Sequence, residues 1–162
     1  MQYYTSLMNE TFRNKQRRSE SEFQTAICSF QYRLLQLQAT LDTVLSECLR
    51  LAMLAFLITT FQFPGVRAQY PYLADRLREC CLAIEVGAEP EQRDLMRWLL
   101  VIGAISVFDL EADTEQWMLE RWKTEVGSVG WEEARVRLKE IMWIDALQDG
   151  IGKKAFERMN SG

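Results

Sequence analysis

Residues 23–58 read FQTAICSFQYRLLQLQATLDTVLSECLRLAMLAFLI. Within them Phe23, Ile27, Phe30, Leu34, Leu37, Leu41, Val44, Cys48, Leu51, Ala55 and Ile58 recur in alternating steps of four and three. That spacing lays an apolar stripe along one helical face. No glycine or proline interrupts the chain from Met1 through Phe63. The stripe fits one long helix, or two stacked ones broken near Thr40 to Thr43, with Asp42 placed to cap a new start. A coiled coil would need opposite charges beside the stripe. The flanks hold Gln24, Gln31, Gln38 and Thr40 instead, then Leu45, Ala52 and Leu54. A helix apolar most of the way round is a core helix. Intramolecular packing is therefore expected, with self-association as the alternative.

The same logic extends outward. Phe63-Pro64-Gly65 should stop the helix, since proline lacks an N–H and glycine supplies the turn. Pro71 suits the first turn of the next helix, which carries Leu73, Leu77, Cys80, Cys81 and Ile84. After Gly87 and Pro90, the segment Glu91 to Phe108 becomes wholly apolar beyond Arg97 and is the candidate central helix. Gly103 and Ala104 lie in its middle. A glycine there costs about 1 kcal/mol relative to alanine, and close approach of another helix would offset that cost. Asp113 or Thr114 reads as a cap before Trp117 to Trp122, and Gly127 and Gly130 bracket a turn. One helix is then expected from Trp131 to about Asp149, with a short last helix over Lys153 to Met159. In that helix Trp131, Ala134, Leu138, Ile141 and Met142 share a face. Val136, Trp143 and Leu147 lie opposite and form a candidate partner face. No alternating strand pattern rises above this signal. The expected fold is all-α, a bundle of roughly six to seven antiparallel-packed helices over residues 23–162, preceded by a basic and polar segment, 1–22.

Bulk properties narrow the function classes. The chain has 162 residues, 48% of them hydrophobic and 26% charged, with a formal net charge of −4. Domains that grip nucleic acid usually carry a basic excess, so no direct DNA binding is expected from this chain. Leu51 to Val66 and Trp98 to Phe108 are the longest uncharged apolar stretches, but the first is interrupted by Thr59, Thr60, Gln62, Pro64 and Gly65. The second is shorter than the roughly 20 residues that cross a bilayer. Neither is expected to enter a membrane, and no basic leader followed by an apolar run marks a secretory signal.

Catalytic and metal chemistry find little support. There is no histidine, the commonest general base and metal ligand. Cys28, Cys48, Cys80 and Cys81 lack C-x-x-C spacing and sit among apolar residues, where free cysteine behaves as a small hydrophobe. Asp109, Glu111, Asp113 and Glu120 occupy the first, third, fifth and twelfth positions of a calcium loop, but Thr114 stands where the turn needs glycine. Asp145 and Asp149 are four apart, a spacing that suits a magnesium site or, more simply, ion pairs at a helix end. No phosphate-binding glycine loop, nucleophile elbow or H-E-x-x-H is present. The chain is therefore not expected to be an enzyme or to hold a cofactor. A small helical enzyme using Asp145 and Asp149, or Cys80 and Cys81, is the rival reading. Arg13, Lys15, Arg17 and Arg18 are the only basic cluster, which reads as a solvated helix end or as a short nuclear-import signal.

From about Thr43 onward the chain resembles the C-terminal regulatory region of fungal zinc-cluster transcription factors. Glu47-Cys48-Leu49-Arg50-Leu51-Ala52 is similar to that family's opening helix. Trp98-Leu99-Leu100-Val101-Ile102-Gly103-Ala104-Ile105 resembles its W-L-L-x-x-G-G-I helix, and Trp117 to Glu120 the segment after it. Trp131-Glu132-Glu133, Leu138, Met142-Trp143-Ile144-Asp145, Gly152 and Phe156 resemble its S-W-E-E…L…L-W-x-D…G…W ending. Ala104 replaces the second glycine and Phe156 the usual tryptophan. The six-cysteine zinc cluster through which the family reads DNA is absent from this chain. The resemblance implies an all-helical, nuclear regulatory domain that works by protein contact, dimerisation or small-molecule sensing.

Overall fold

Thr43 starts the helix at the heart of the opening stripe. Its Oγ1 accepts a hydrogen bond from the Ser46 backbone N–H at 3.1 Å, satisfying one of the donors every helix start leaves unpaired. The cap expected at Asp42 therefore falls one residue later. In the computed structural model the described residues are 5–6, 8–10, 20–61, 69–87, 89–109, 116–126 and 129–161. Residues 5–6 and 8–10 are helical, and seven further α-helices follow: α1 (Glu20–Gln36), α2 (Val44–Phe61), α3 (Pro71–Ala83), α4 (Pro90–Ser106), α5 (Gln116–Arg121), α6 (Trp131–Ile141) and α7 (Asp145–Ser161). A short 3-10 turn, Leu37–Thr40, joins α1 to α2, and a π-helical turn, Trp122–Val126, extends α5. No strand occurs among the described residues, and the fold is an all-α multi-helix bundle.

The stripe is two helices, not one, and its side chains turn into this chain's own core except near the break, where Leu37 and Val44 are exposed. Ile27 and Leu34 of α1 and Cys48, Leu51 and Ala55 of α2 are buried. Arg50, itself buried, pins the two helices together. It donates to the Leu34 carbonyl at 3.3 Å and to both carboxylate oxygens of Glu47 at 2.7 Å. The guanidinium holds the Glu47 carboxyl below its usual range. The stops expected at Pro64-Gly65 and Gly127, the cap at Asp113 or Thr114, and the basic cluster Arg13, Lys15, Arg17 and Arg18 lie outside the described residues.

The helix expected to be central is central. α4 packs against α2, α3, α6, α7 and the π-helical turn. Every residue from Met96 to Ser106 on it is buried. Leu99, Leu100, Val101 and Ile102 on this helix each contribute roughly 1.5–3 kcal/mol by leaving water. At the far end of α3, Arg121 reaches back from α5 to the carbonyls of Leu82 and Ile84, taking up acceptors a helix C-terminus leaves open.

The C-terminal third departs from the expected layout. The helix from Trp131 stops at Ile141, Met142 is fully extended, and a 17-residue helix then runs straight through Gly150 and Gly152. Distant groups hold the break open. Trp98 Nε1 donates to the Met142 carbonyl at 2.7 Å. Asn9 donates from Nδ2 to the Trp143 carbonyl and accepts the Asp145 N–H on Oδ1, each at 2.8 Å. Gln148 accepts the Ile144 N–H at 2.8 Å and donates to Thr59 Oγ1 at 2.7 Å. Thr59 in turn donates its hydroxyl to the Phe56 carbonyl at 2.7 Å. The backbone groups of Met142, Trp143, Ile144 and Asp145 named here are thus matched, as burial demands. The contacts of Asn9 tie part of the segment read as a separate polar stretch, 1–22, onto the core.

Gly152 survives inside α7 because it faces aromatic rings. A Cβ there would lie 2.6 Å from Trp143 Cη2 and 3.3 Å from Trp131 Cη2. Phe156, one turn on, meets the edges of Trp122 and Trp131 at centroid distances of 5.4 and 5.5 Å. A Cβ on Gly150 would meet nothing within 4 Å. The two glycines should respond oppositely to alanine. Gly150→Ala gains the helix preference and stabilises by up to about 1 kcal/mol. Gly152→Ala displaces a packed ring and destabilises by about 1–2 kcal/mol. Urea-denaturation midpoints of the two variants check the sign, and a stable Gly152→Ala would contradict the packing described.

Candidate functional site

Cations engage both acids at the start of α7, although Asp145 Oδ1 is buried with no hydrogen-bond partner. Asp149 accepts from Arg135 Nε on both oxygens at 3.0 Å and from Trp143 Nε1 at 2.8 Å. Asp145 Oδ2 is 2.7 Å from Lys139 Nζ and 3.1 Å from Arg135. Two acids face two bases, so local charge balances. The hydrogen bond to Asp149 comes first among the causes that raise the Arg135 pKa, so this guanidinium stays charged. A metal would have to displace Lys139 and Arg135 from these carboxylates. Among the described residues no group of three or more Cys, Asp or Glu side chains is placed to hold one. Of the calcium-loop acids, Asp109 and Glu120 are exposed and Glu111 and Asp113 lie outside the described residues.

The cysteines divide. Cys48, Cys80 and Cys81 are buried, whereas Cys28 is exposed on α1, against the expectation that all four sit in apolar surroundings. Cys48 Sγ touches Cys81 Sγ at 3.8 Å across the α2–α3 contact. That contact and burial push the Cys48 thiol far up, and burial raises Cys80 to about 11. Thiols in that range are scarcely nucleophilic at neutral pH.

The candidate partner face does not assemble. It assumed that Val136, Trp143 and Leu147 stand on one helix. Val136 is on α6 and 55% exposed, Trp143 is 1% exposed in the break between helices, and Leu147 is half-buried on α7. Trp143 is a core residue, stacked edge-on to Trp131 at 6.2 Å.

Exposed apolar surface gathers elsewhere. Among the described residues ten large hydrophobic side chains are exposed, and five of them fall between residues 32 and 45: Tyr32, Leu35, Leu37, Val44 and Leu45. They occupy the end of α1, the 3-10 turn and the start of α2, interrupted by few charges. Single exposed hydrophobics are ordinary, and what sets these five apart is their closeness along the chain. Sequence reasoning placed Leu37 and Val44 in the core stripe and treated Leu45 as core too. The 3-10 turn changes the helical phase, and with it the direction these side chains face. The apolar flank at Leu45 was the visible signal.

No helix of the described residues is long and apolar enough to cross a membrane. No family model, curated protein or solved structure matches this chain.

Proposed function

We propose that this chain is a non-catalytic regulatory domain that acts by binding another protein through the band Tyr32, Leu35, Leu37, Val44 and Leu45. The band carries the reading. It combines a tyrosine with aliphatic side chains and few charges, the composition of an interface centre, on a body whose other large apolar groups are mostly in the core. The engagement of Asp145 and Asp149 by Arg135 and Lys139 supports a structural role for those acids. The resemblance to the effector region of fungal zinc-cluster transcription factors supplies the context, transcription regulation in the nucleus, with Arg13, Lys15, Arg17 and Arg18 as the import signal. The partner is then a component of the transcription apparatus.

The test tethers the full chain to an unrelated DNA-binding domain upstream of a reporter gene. The wild-type chain should shift reporter output several-fold. A variant with Tyr32→Ser, Leu35→Ser and Leu45→Ser should return it to baseline, with its unfolding transition kept, because all three sites are exposed. Unchanged output from the tethered wild type, or equal output from the variant, would overturn the reading. Sedimentation of both chains separates a foreign partner from a second copy: a concentration-dependent dimer lost in the variant assigns the band to self-association instead.

A further inference from the structure

We infer that Cys48 and Cys81 form a reversible disulfide site that locks α2 to α3 under sustained exposure to a hydroperoxide. Their sulfurs are already in van der Waals contact at 3.8 Å, and both residues have 0% exposure. The two helices pack against each other, and each buries small side chains, Cys48 and Ala52 on α2 and Ala74 and Cys81 on α3. Packed helices lie about 8–10 Å apart with Cα atoms about 2.3 Å off each axis. Facing Cα atoms at such a crossing fall near the span of about 4.4–6.8 Å that a disulfide bridges. Bond formation then needs the sulfurs to swing together by side-chain rotation, with little backbone movement.

The chemistry balances with a hydroperoxide as the oxidant. One cysteine, as thiolate, attacks a peroxide oxygen. The O–O bond breaks, a sulfenic acid forms, and the alkoxide (hydroxide for hydrogen peroxide) leaves and takes up a proton as alcohol or water. The second thiolate attacks that sulfur, the S–O bond breaks, and water departs. Two electrons pass from the sulfur pair to the peroxide, and a small-molecule dithiol reverses the reaction by exchange. A peroxide is small enough to enter when α2 and α3 part locally. Burial and the contact with Cys81 keep the Cys48 thiol protonated at rest, so brief exposure leaves the pair reduced.

Cys28, the exposed thiol, is removed first so that chains do not cross-link to each other. The full chain carrying Cys28→Ser is treated with hydrogen peroxide, denatured, alkylated and digested without reduction. The expected product is a Cys48–Cys81 peptide pair lighter by two hydrogens, lost on adding dithiothreitol. The oxidised chain should also melt roughly 5–10 °C higher, because the bond closes a loop spanning a separation of 33 residues in the unfolded chain. Alkylated, unlinked Cys48 and Cys81 after prolonged treatment would overturn the inference. So would their conversion to sulfinic acids or a link that uses Cys80 instead. The mass measurement needs no variant at either buried position, so a folding defect does not obscure it.

Discussion

Trp98→Ala should cost about 4–8 kcal/mol of stability and leave the chain close to unfolded at physiological temperature. Truncating a buried tryptophan costs about 3–5 kcal/mol through lost burial and the cavity left behind. Trp98 has no exposed surface. It also donates its indole N–H to the Met142 carbonyl, and leaving that buried acceptor bare adds about 1–3 kcal/mol. A typical domain is stable by only about 5–15 kcal/mol, so the loss takes most of the margin. Urea denaturation followed by far-ultraviolet circular dichroism measures it. Trp98→Phe helps separate the two contributions, since it keeps most of the buried ring volume while removing the donor. It should lose about 1–2 kcal/mol. A Trp98→Phe chain as damaged as Trp98→Ala would mean that the hydrogen bond, and not the filled volume, holds the junction.

The partner of Trp98 shows where sequence reading stops. Local periodicity was enough to place α2, α3 and α4, because their apolar residues repeat at helical spacing and Pro71 and Pro90 open the last two. It was not enough at Met142. Residues 131–149 contain no proline, and the first glycine after Gly130 is Gly150, so nothing local signals a break. The groups that make it, Asn9, Thr59 and Trp98, lie 136, 89 and 44 residues from their partners. A pattern read within a short window cannot register them. Gly150 and Gly152 then suggested a stop that the packing of Trp143 and Trp131 overrides.

The same missed break undid the candidate partner face. Once α6 ends at Ile141, the helical wheel linking Val136 to Trp143 and Leu147 has no physical meaning. The band at residues 32–45 was hidden for a related reason. The heptad spacing continues unbroken through Leu37, Leu41 and Val44, whereas the backbone passes through a 3-10 turn and then restarts under the Thr43 cap. A 3-10 turn advances side chains by about 120° per residue instead of about 100°. Even spacing in the sequence therefore ceases to mean one common face. The ion pairs of Asp145 and Asp149 were legible in kind, as paired acids at a helix end, but not their partners on α6.

Gly103→Ala carries the second large effect, and its cause differs from the one its sequence position suggests. Glycine in mid-α4 implied a neighbouring helix in close approach. The structure instead brings Phe108, five residues on, back over the bare face. The Val107 and Phe108 N–H groups both donate to the Gly103 carbonyl, at 2.9 and 2.8 Å, and this curls the chain so that a Cβ on Gly103 would fall on the Phe108 ring. The ring has little freedom to yield. It is wholly buried and rests edge-to-face on Trp117 at 5.4 Å. Overpacking of this kind costs about 1–3 kcal/mol and occasionally more, against a helix-propensity gain of about 1 kcal/mol. The steric loss should dominate, with a net destabilisation of about 2 kcal/mol, opposite in sign to Gly150→Ala. A double-mutant cycle identifies the ring as the cause. In a Phe108→Ala background the new methyl has room, so Gly103→Ala should there become neutral or stabilising, a coupling of about 2 kcal/mol or more. If Gly103→Ala remains equally damaging without the ring, the clash lies elsewhere and the fold-back of Phe108 is not what demands glycine.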